Sequence, residues 1–476
     1  MLRATYTRYI LKFKQPAGTS RGILTEKETW FVKVWYSEQP EIYGLGECAL
    51  FRGLSADDTP NYEKKLAYIC QNINTLMLYE LKGLSSILFG LDTAIADLNN
   101  GGKRIIYPTP FTEGQTDIEI NGLIWMGDKD TMRQRIIEKL DAGFHCVKLK
   151  IGAIDFEEEL DLLRYIRKQF SKEVVELRVD ANGAFTPQEA PRKLEELSRY
   201  DIHSIEQPIR QGQWEEMAIL CRNTPIPIAL DEELIGIEVS DKSKLLDMIC
   251  PQYIVIKPSL LGSFSGSWEW IARSQERNIG WWITSALESN IGLNAIAQWT
   301  AYLQTFLPTG MPQGLGTGQL YTNNIPSPLE QTGSTIRCLP MVFPRSRPTI
   351  ERGFWKNGKG GNSRETCVLD YFNRSADAFI VCLPPGRSAG GNGGSRGCSG
   401  EIPGRAPGRR QRLSNRRRRH RNVSGAAAGR AAESSGGRRP AAESPCSAAG
   451  RTGSPCKPAG KPDHYGDGGR GKAPVD

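Results

Sequence analysis

Two different periods of apolar and polar residues run along the first 330 residues, and each predicts a different kind of element. The stretch at residues 144–183 is the most regular example. Its apolar run at residues 145–150 is followed by apolar positions three and four apart at residues 155–170, and then by a second apolar run at residues 174–179. This order predicts a strand, a helix and a second strand, the repeating unit of a parallel sheet.

The same order repeats along the second part of the chain and predicts an α/β fold class, a (β/α)7β barrel of the TIM type. The eight predicted strands are residues 118–126, 145–151, 174–180, 202–206, 226–231, 253–257, 280–285 and 313–318. Helical spacing fills the gaps, for example at residues 187–199, 213–222, 267–277 and 291–303. We expect this barrel domain to occupy residues 111–330.

Residues 1–110 do not follow the strand–helix alternation. Antiparallel strands are predicted at residues 4–14, 29–37 and 41–47, with a hairpin-type loop at residues 16–22. Helical stretches follow at residues 61–74, 76–81 and 85–98. Strands followed by helices predict an α+β domain.

Ionisable residues end four successive predicted strands of the barrel. At intervals of 26, 25 and 26 residues the chain places Asp180, Glu206, Asp231 and Lys257. Because the C-terminal ends of barrel strands meet at one mouth, we expect these side chains to converge. Three carboxylates there form an all-oxygen site of the kind that Mg²⁺ accepts.

Lys148 and Lys150 stand two residues apart on the second barrel strand, so their side chains point to the same face. Two ammonium groups on an inward face repel each other unless carboxylates or an anion lie opposite. A lone Asp at a strand end is more often a helix N-cap, and a lone Lys is usually a solvated charge. Neither bland interpretation explains the common spacing, and a neighbouring cation lowers the pKa of a lysine toward that of a base.

This set of residues resembles the enolase superfamily in its muconate-lactonising subgroup, and within it the o-succinylbenzoate synthase family. The resemblance covers about residues 1–330. The matching segments are INGLIWMG (120–127), VDANG (179–183), IEQP (205–208), LDEEL (230–234), IKPSLLGS (256–263), TSALESNIG (284–292) and GLGTGQLY (314–321).

The resemblance implies a lyase that dehydrates 2-succinyl-6-hydroxy-2,4-cyclohexadiene-1-carboxylate to o-succinylbenzoate in menaquinone biosynthesis. The reaction would pass through an enediolate stabilised by Mg²⁺, for which Mn²⁺ can substitute. The resemblance assigns Asp180, Glu206 and Asp231 as the metal ligands. It also implies that the α+β domain is a capping domain lying over the barrel mouth.

Three lysines carry the chemistry that the resemblance implies. Lys150 is the base that removes the proton and later returns it to the leaving hydroxide. Lys148 holds the substrate carboxylate and tunes its neighbour, and Lys257 stabilises the anionic intermediate from the opposite face. Glu232 and Glu233 either orient Lys257 or are loop carboxylates.

The residues that contact the substrate are predicted only from their positions in the sequence relative to the loops and ligands of the resembled family. In the resembled family two capping-domain loops close on the substrate, and here they correspond to residues 16–22 and 49–58. Arg21 and Arg52 in these loops are candidate partners for a substrate carboxylate. Asn182 adjoins a metal ligand, as Gln207 does, and Ser285 begins a segment that we expect to line the pocket near the succinyl tail.

Two alternative functions remain open at this stage. Lys150 and Lys257 on opposite faces could racemise an N-succinylamino acid or epimerise a dipeptide. Dipeptide epimerases usually carry Asp-x-Asp at the eighth strand, where residues 316–318 here read Gly-Thr-Gly. A third hypothesis is a non-catalytic barrel in which the basic tail is the functional part. This hypothesis predicts that a catalytic residue has been lost, yet the three lysines and the three carboxylates are all present.

Residues 331–476 are predicted to be an atypical basic, low-complexity tail. The family leads us to expect a short strand returning to the capping domain, but residues 331–342 offer no convincing candidate. Residues 386–476 hold 19 Lys and Arg against 6 Asp and Glu, a net charge of +13, which leaves −5 on the rest of the chain. With few large apolar residues, this segment is predicted to be disordered. One hypothesis is that its run of four arginines at residues 416–419 binds nucleic acid or an acidic partner. The other is that the tail is a frame-shifted segment without function, and we favour this second hypothesis.

The expected partner is a small-molecule carboxylate, without nucleic acid at the body, a membrane or an obligate protein partner. No N-terminal signal peptide and no apolar run near 18 residues are evident. Five of the eleven cysteines lie in apolar contexts typical of buried thiols in a reducing compartment: Cys48, Cys70, Cys146, Cys221 and Cys250. We therefore predict a cytoplasmic protein.

Overall fold

The computed structural model describes residues 1–19 and 22–339, which lie in one compact unit, Met1–Ile402. Residues 20–21 and 340–476 lie outside the described residues. The predictions for Arg21 and for the basic tail beyond residue 339 therefore remain predictions.

The chain begins with a three-stranded antiparallel sheet followed by helices, and the predicted α+β unit is confirmed. The strands, in the order β1-β2-β3, are β1 (Leu2–Thr19), β2 (Gly22–Tyr36) and β3 (Tyr43–Cys48). The helices are α1 (Tyr62–Gln71), a 3₁₀ turn at Leu78–Leu81, and α2 (Ser85–Asn99).

Helix α2 lies unusually close to β3 because glycines face each other across the contact. A Cβ atom at Gly46 would lie 1.8 Å from the carbonyl oxygen of Gly90, and one at Gly44 would lie 1.8 Å from that of Ala94. Only glycine leaves room for the backbones at these positions. The close contact lets the apolar face of α2 pack into the core of the capping domain.

After α2 the chain forms a short strand, β4 (Asp117–Glu119), and then a parallel sheet of seven strands that follow one another in sequence order, so the predicted α/β architecture is confirmed. These strands are β5 (Gly122–Ile124), β6 (Cys146–Lys150), β7 (Glu176–Asp180), β8 (Ile202–Glu206), β9 (Ile228–Leu230), β10 (Tyr253–Ile256) and β11 (Gly280–Ile283). The connecting helices are α3 (Lys129–Asp141), α4 (Phe156–Gln169), α5 (Ala190–Ser198), α6 (Trp214–Asn223), α7 (Val239–Ile249), α8 (Ser263–Gln275) and α9 (Asn290–Gln304). Across the described ranges, no helix combines the length and apolar character that crossing a membrane requires.

Two single parallel bridges join the ends of this sheet. Gln313 pairs with Ile120, just before β5, and Gly314 pairs with Thr284, just after β11. The Gln313 side chain is buried and accepts a hydrogen bond from the amide of Ile283 at 2.8 Å. Residues 313–314 thus stand at the position of the eighth strand, which was predicted to be longer.

The prediction of one long first barrel strand at residues 118–126 is wrong. β4 and β5 are separate strands, and β4 pairs with the end of the described chain rather than with β6. Asn121 interrupts the run between them. The apolar pattern could not reveal this break, because Ile118, Ile120 and Ile124 are all buried on both sides of it.

The expectation that residues 331–342 hold no strand is also wrong. β12 (Leu329–Thr332) and β13 (Thr335–Cys338) form an antiparallel hairpin, and β13 pairs with β4 instead of the capping domain. Ile336 and Cys338 are buried in the main core, whereas Arg337 between them is exposed. Two buried residues in a strand of four residues are too weak a signal for the polar–apolar pattern to detect.

Four of the five cysteines expected to be buried thiols are so: Cys48, Cys70, Cys146 and Cys221. The prediction is wrong for Cys250, which is partly exposed and disulfide-bonded. Cys250 is the C-cap residue of α7, where the chain leaves the helix, and its φ of 50° lies in the left-handed region.

The hairpin of β1 and β2 reaches the barrel beside the C-terminal end of β5. Gly18 forms a single antiparallel bridge with Met126, and Phe13 forms one with Tyr321. A Cβ atom at Gly18 would lie 2.8 Å from the carbonyl oxygen of Met126, so the close approach requires glycine. The capping domain is thereby fixed at the edge of the barrel mouth.

Candidate active site

Three buried carboxylates stand at the C-terminal ends of neighbouring strands. The parallel register aligns Asp180, the last residue of β7, with Glu206, the last residue of β8. Asp231 follows β9 directly. Each is at most 2 % exposed, so the structure gathers the three predicted acids in one place without solvent to screen them.

The two lysines of β6 point into this group of carboxylates. Lys148 Nζ lies 2.5 Å from Glu206 Oε2 and 2.9 Å from Asp180 Oδ2. Lys150 Nζ donates to Asp180 Oδ2 at 2.5 Å and to Asn182 Oδ1 at 2.7 Å. Both lysines are predominantly buried, as their shared strand face and the acids opposite them require.

Lys257 approaches from the other side of the barrel. It follows β10, which stands four strand positions from β6 in a ring of eight, and therefore opposite Lys148 and Lys150. Its Nζ donates to Asp231 Oδ2. The space between the lysines is therefore flanked by cations on both faces.

The lysines differ in basicity because their neighbours differ. Burial, reinforced by the ammonium groups of Lys148 and Lys257, lowers the pKa of Lys150 despite the attraction of Asp180. Burial also opposes the charge of Lys148, but the carboxylates of Asp180 and Glu206 outweigh it and raise the pKa of Lys148. Lys150 is thus the lysine with the easier access to a neutral amine.

The acids differ in the same way. Burial, with repulsion from Asp180 and Asp231, raises the pKa of Glu206 well above its usual range. Burial would also raise the pKa of Asp180, but the three lysines hold it well below its usual range. The pKa of Asp231 is likewise lowered, chiefly by Lys257 against the effect of burial.

The donor set suits a hard divalent cation. Glu206 Oε1 is buried and accepts no hydrogen bond from any described residue, so it is a carboxylate oxygen without a partner in a dry site. Three carboxylates at one mouth supply the oxygen ligands that Mg²⁺ prefers. Among the described residues between 1 and 339, no group of three acidic, histidine or cysteine side chains has the geometry of a complete metal site. The lysine ammonium groups lie against the carboxylate oxygens that a bound cation would share.

Residues beside the acids hold them in place from unusual backbone conformations. Asn182 and Gln207 have φ values of 46° and 41°, in the left-handed region. The Asn182 amide nitrogen Nδ2 donates to Glu232 at 2.9 Å. Gln207 Oε1 accepts hydrogen bonds from the backbone amides of Asp231 and Glu233, at 3.1 and 3.3 Å.

A pocket opens above these groups, between the barrel and the capping domain. Ser285 lines it as predicted, and its hydroxyl accepts a hydrogen bond from Thr317 at 2.8 Å. Phe51 and Trp125 also line the pocket, and sequence reasoning did not single them out. Their positions were the available signal. Phe51 lies in the predicted closing loop at residues 49–58, and Trp125 lies in the segment at residues 120–127 that resembles the family.

The structure does not bring Arg52 to the pocket. Its guanidinium group is bound to Glu28 and Asp58, each at 2.6 Å, on the outer side of the capping domain. Phe51 and Leu54, from the same loop, line the pocket in its place. The predicted loop therefore reaches the site through apolar side chains rather than through a cation.

The chain is similar to known proteins over its described part. It is 47 % identical over 369 residues to an o-succinylbenzoate synthase from Desulfotalea psychrophila, covering 70 % of this chain and 98 % of that protein. The crystal structure of MenC from Desulfotalea psychrophila matches with a TM-score of 0.62 and 43 % identity, covering 71 % of this chain and 99 % of that one.

More distant matches agree on the fold. Residues 131–336 match the family described as enolase C-terminal domain-like. A substrate-liganded L-Ala-D/L-Glu epimerase from Bacillus subtilis superposes with a TM-score of 0.60 at 19 % identity, over 71 % of this chain and 95 % of that one. At this identity the likeness establishes the architecture alone.

Proposed function

The chain belongs to the o-succinylbenzoate synthase family of the enolase superfamily, and from this premise we propose how its buried residues carry out the reaction. The reaction is the dehydration of 2-succinyl-6-hydroxy-2,4-cyclohexadiene-1-carboxylate to o-succinylbenzoate, a step of menaquinone biosynthesis. It removes a proton from the ring carbon that bears the carboxylate and a hydroxide from the neighbouring carbon. The enzyme is therefore a carbon–oxygen lyase.

Lys150 is the proposed base. Its lowered pKa supports this role, because only the neutral amine can accept the proton. The electron pair of the broken C–H bond moves into the carboxylate to form an enediolate anion. When this anion collapses, the C–O bond breaks, and the Lys150 ammonium group returns the proton to the departing hydroxide. Water leaves and the ring becomes aromatic, so the lysine ends as it began.

Lys148 and Lys257 supply fixed positive charge. The raised pKa of Lys148 keeps it an ammonium group, suited to holding the substrate carboxylate while Lys150 reacts. Lys257, opposite, also has a raised pKa because Asp231 outweighs the effect of burial. Both lysines line the pocket, and their fixed charges stabilise the developing anion without reorganising at the moment of reaction.

Asp180, Glu206 and Asp231 are the proposed ligands of a Mg²⁺ ion. When bound, the ion supplies Lewis-acid stabilisation of the negative charge on the substrate carboxylate. Members of the superfamily generally use Mg²⁺, and Mn²⁺ is the substitute to be tested. We also propose that the reaction takes place in the cytoplasm. The buried free thiols Cys48 and Cys146 support this location, whereas the disulfide at Cys250 does not.

The observation that carries the proposal is the pairing of two differently tuned lysines on one strand face with a third lysine opposite. The test is a spectrophotometric dehydration assay of the purified protein with the hydroxycyclohexadiene substrate, in Mg²⁺ or in EDTA. We expect conversion that requires Mg²⁺ and falls by about 10³-fold or more in Lys150→Ala. Lys168→Ala, on the exposed side of α4, is the matched control. Full activity of Lys150→Ala would overturn the assignment of the base.

Racemisation of N-succinylamino acids is a second candidate activity, supported by the lysines on opposite sides of the pocket. Each could exchange a proton with one face of a carbon acid held between them. Deuterium incorporation from D₂O into the substrate, lost on one face in Lys150→Ala and on the other in Lys257→Ala, would demonstrate it. If neither face exchanges, this activity is absent.

A further inference from the structure

One buried amide on the wall of the substrate pocket has no hydrogen-bond partner. Asn121, between β4 and β5, is 4 % exposed. Its backbone amide donates to the carbonyl oxygen of Gln313 at 3.0 Å. Its side-chain amide, in contrast, forms no hydrogen bond with any residue in the described ranges 1–19 and 22–339. Buried polar groups nearly always have a partner, so this amide is a candidate for binding a ligand.

The alternation of side chains along β5 turns Asn121 toward the pocket. Leu123 and Trp125, two and four residues further along the chain, line the pocket as Asn121 does. Ile124, between them, packs into the main hydrophobic core on the other face. Leu123 pairs with Lys148 in the parallel register, so this face of β5 continues the face of β6 that carries the catalytic lysines. Asn121 therefore belongs to the wall of the pocket and not to the core.

Two glycines leave room beside Asn121. Gly314 and Gly316 both line the pocket, whereas Leu315 between them is buried in the main core. A Cβ atom at Gly314 would lie 2.1 Å from Thr284 Oγ1, and one at Gly316 would lie 3.7 Å from the carbonyl oxygen of Asn121. Side chains at these two positions would therefore occupy the space next to Asn121. With glycine at both, that part of the pocket can accept an extended group of a ligand.

Ser285 adjoins the same glycine segment and offers a second donor. Its backbone amide donates to the carbonyl oxygen of Gly314 at 3.1 Å. Its hydroxyl oxygen accepts hydrogen bonds from the Thr317 hydroxyl at 2.8 Å and the Leu287 amide at 3.0 Å. A hydroxyl group that accepts two bonds still has its own hydrogen to donate, and no residue between 1 and 339 that the structure describes accepts it. Asn121 and Ser285 thus supply neutral donors to the pocket.

The substrate of the proposed reaction carries two carboxylates, one on the ring and one at the end of the succinyl tail. The charged side chains that line the pocket within the described part of the chain are Lys148, Lys150 and Lys257, and the proposed mechanism uses all three at the ring. Arg52 is held away from the pocket by its ion pairs. A carboxylate that leaves water must be paired or hydrogen-bonded. The tail carboxylate therefore depends on neutral donors in the pocket wall.

We propose that Asn121 is a substrate-binding residue whose side-chain amide donates to the terminal carboxylate of the succinyl tail, with the Ser285 hydroxyl as a second donor. This inference rests on the proposed function for the identity of the substrate. The amide nitrogen of Asn121 has two hydrogens to donate and carries no charge at any working pH. It binds the tail without competing with the three lysines for the ring carboxylate.

The experiment compares two ligands that differ only at the proposed contact. o-Succinylbenzoate has the terminal carboxylate, and o-butanoylbenzoate has a methyl group in its place. In calorimetric titrations with Mg²⁺ present, Asn121→Leu should raise the Kd of o-succinylbenzoate by about tenfold to a hundredfold, because a hydrogen bond to a charged group is lost. The Kd of o-butanoylbenzoate should stay within about threefold of the wild-type value. Asn223→Leu, at the exposed end of α6, is the matched control and should change neither Kd.

A charged variant tests the same contact through repulsion. Asn121→Asp has nearly the shape of the wild-type side chain, but its carboxylate donates no hydrogen bond and repels the tail carboxylate. We expect the Kd of o-succinylbenzoate to be at least about tenfold higher in Asn121→Asp than in Asn121→Leu, with a smaller difference for o-butanoylbenzoate. Binding of o-succinylbenzoate to Asn121→Asp that is as tight as to Asn121→Leu would contradict the proposal.

Other outcomes separate the contact from the reaction. Equal losses of affinity for the two ligands in Asn121→Leu would show a disturbed pocket and overturn the contact, as would an unchanged Kd of o-succinylbenzoate. Discrimination between the ligands that is lost in Trp125→Phe but kept in Asn121→Leu would assign the contact to the indole N–H and reject Asn121. Wild-type protein that shows the expected binding pattern without dehydration activity would reject the proposed reaction and keep the contact. Dehydration by wild type without any effect of Asn121→Leu on binding would do the reverse.

Discussion

Single residues in this site combine backbone strain with a precise hydrogen bond. Asn182 accepts from Lys150 Nζ through its side chain while its backbone stands at a φ of 46°. Asparagine tolerates the left-handed region better than most residues, because its short polar side chain can bond locally. Its side chain thus orients the proposed base at a position where the backbone restricts the choice of residue.

Two substitutions at Asn182 separate these contributions. Asn182→Ala should lower kcat by about tenfold to a hundredfold, since Lys150 loses one orienting partner, and should lower stability by about 1 kcal/mol through the strained φ. Asn182→Gly relieves the strain but still lacks the amide, so we expect near wild-type stability with the same loss of kcat. Steady-state kinetics and urea denaturation of both variants test this. Full activity in Asn182→Gly would show that the side chain does not orient the base.

Four ionisable residues of the site, Asp180, Glu206, Asp231 and Lys257, could be predicted from sequence because each ends a predicted strand and the strands recur at a nearly fixed interval. Lys148 and Lys150 could be predicted because they stand two residues apart on one strand and so share a face. The contact of Glu47 with the N-terminus of α9 could not be predicted, since Glu47 lies in an antiparallel strand far from the barrel along the chain. Its carboxylate accepts a hydrogen bond from the Ser289 amide, a contact that spans more than 240 residues. Arg52 illustrates the opposite failure, because its acidic neighbours bind the guanidinium group on the outer side of the capping domain.

Helix α2 carries a buried acid whose ionisation opposes folding. Burial raises the pKa of Asp92 to about 7, from about 3.9 in an unfolded chain. Between these pH values the folded protein holds a proton that the unfolded chain releases. Asp92 therefore contributes nothing unfavourable below about pH 4, and its penalty grows until about pH 7.

Asp92→Asn should remove this dependence. We expect the variant to be about 2–4 kcal/mol more stable than wild type at pH 8 and nearly equal to it at pH 4, because the amide does not ionise. Urea denaturation at both pH values measures the difference. Asp130→Asn, at an exposed site on α3, is the control and should show no such divergence. A constant difference between Asp92→Asn and wild type across the pH range would contradict the prediction.

The contact between α2 and β3 predicts another effect at the scale of elements. In Gly46→Ala the new methyl group would lie 1.8 Å from the Gly90 carbonyl oxygen, so helix and strand must move apart. We expect a loss of about 3 kcal/mol or more in unfolding free energy, at the upper end for overpacking, because backbone rather than a flexible side chain must yield. Gly127→Ala, whose nearest atoms are side-chain atoms at 3.3 Å, should cost far less. Equal unfolding free energies for the two variants would refute the argument.

Helices and strands whose apolar residues recur with a clear period could be predicted from the sequence, whereas elements without such a period could not. Helices α4 and α9 and the strands β6 to β8 carry enough apolar residues in register for the pattern to identify them. The hairpin of β12 and β13 has only a few buried residues, and its position depends on β4. Because β13 gains its second partner, β4, from a distant segment, its own sequence contains little of the information that places it.

At the scale of the whole molecule, the hairpin of β12 and β13 determines how far along the sequence the folded domain extends. Ile336 and Cys338 belong to the main hydrophobic core, beyond the boundary at residue 330 that the sequence predicted. A chain ending at residue 345 keeps both, whereas a chain ending at residue 328 loses them along with the only strand that pairs with β4 between residues 1 and 339. The two truncations therefore test whether the hairpin or the basic tail matters to the fold.

We expect the chain ending at residue 345 to retain wild-type dehydration activity and unfolding free energy, since every described contact of the site lies before residue 340. The chain ending at residue 328 should be severely destabilised. If it fails to fold, Ile336→Ala in the 345-residue chain gives the quantitative test, with an expected loss of about 2–5 kcal/mol for truncating a buried isoleucine. Urea denaturation and the dehydration assay measure both properties. Loss of activity in the 345-residue chain would instead assign a function to the tail, because this truncation leaves the hairpin, the core and the residues that line the pocket untouched.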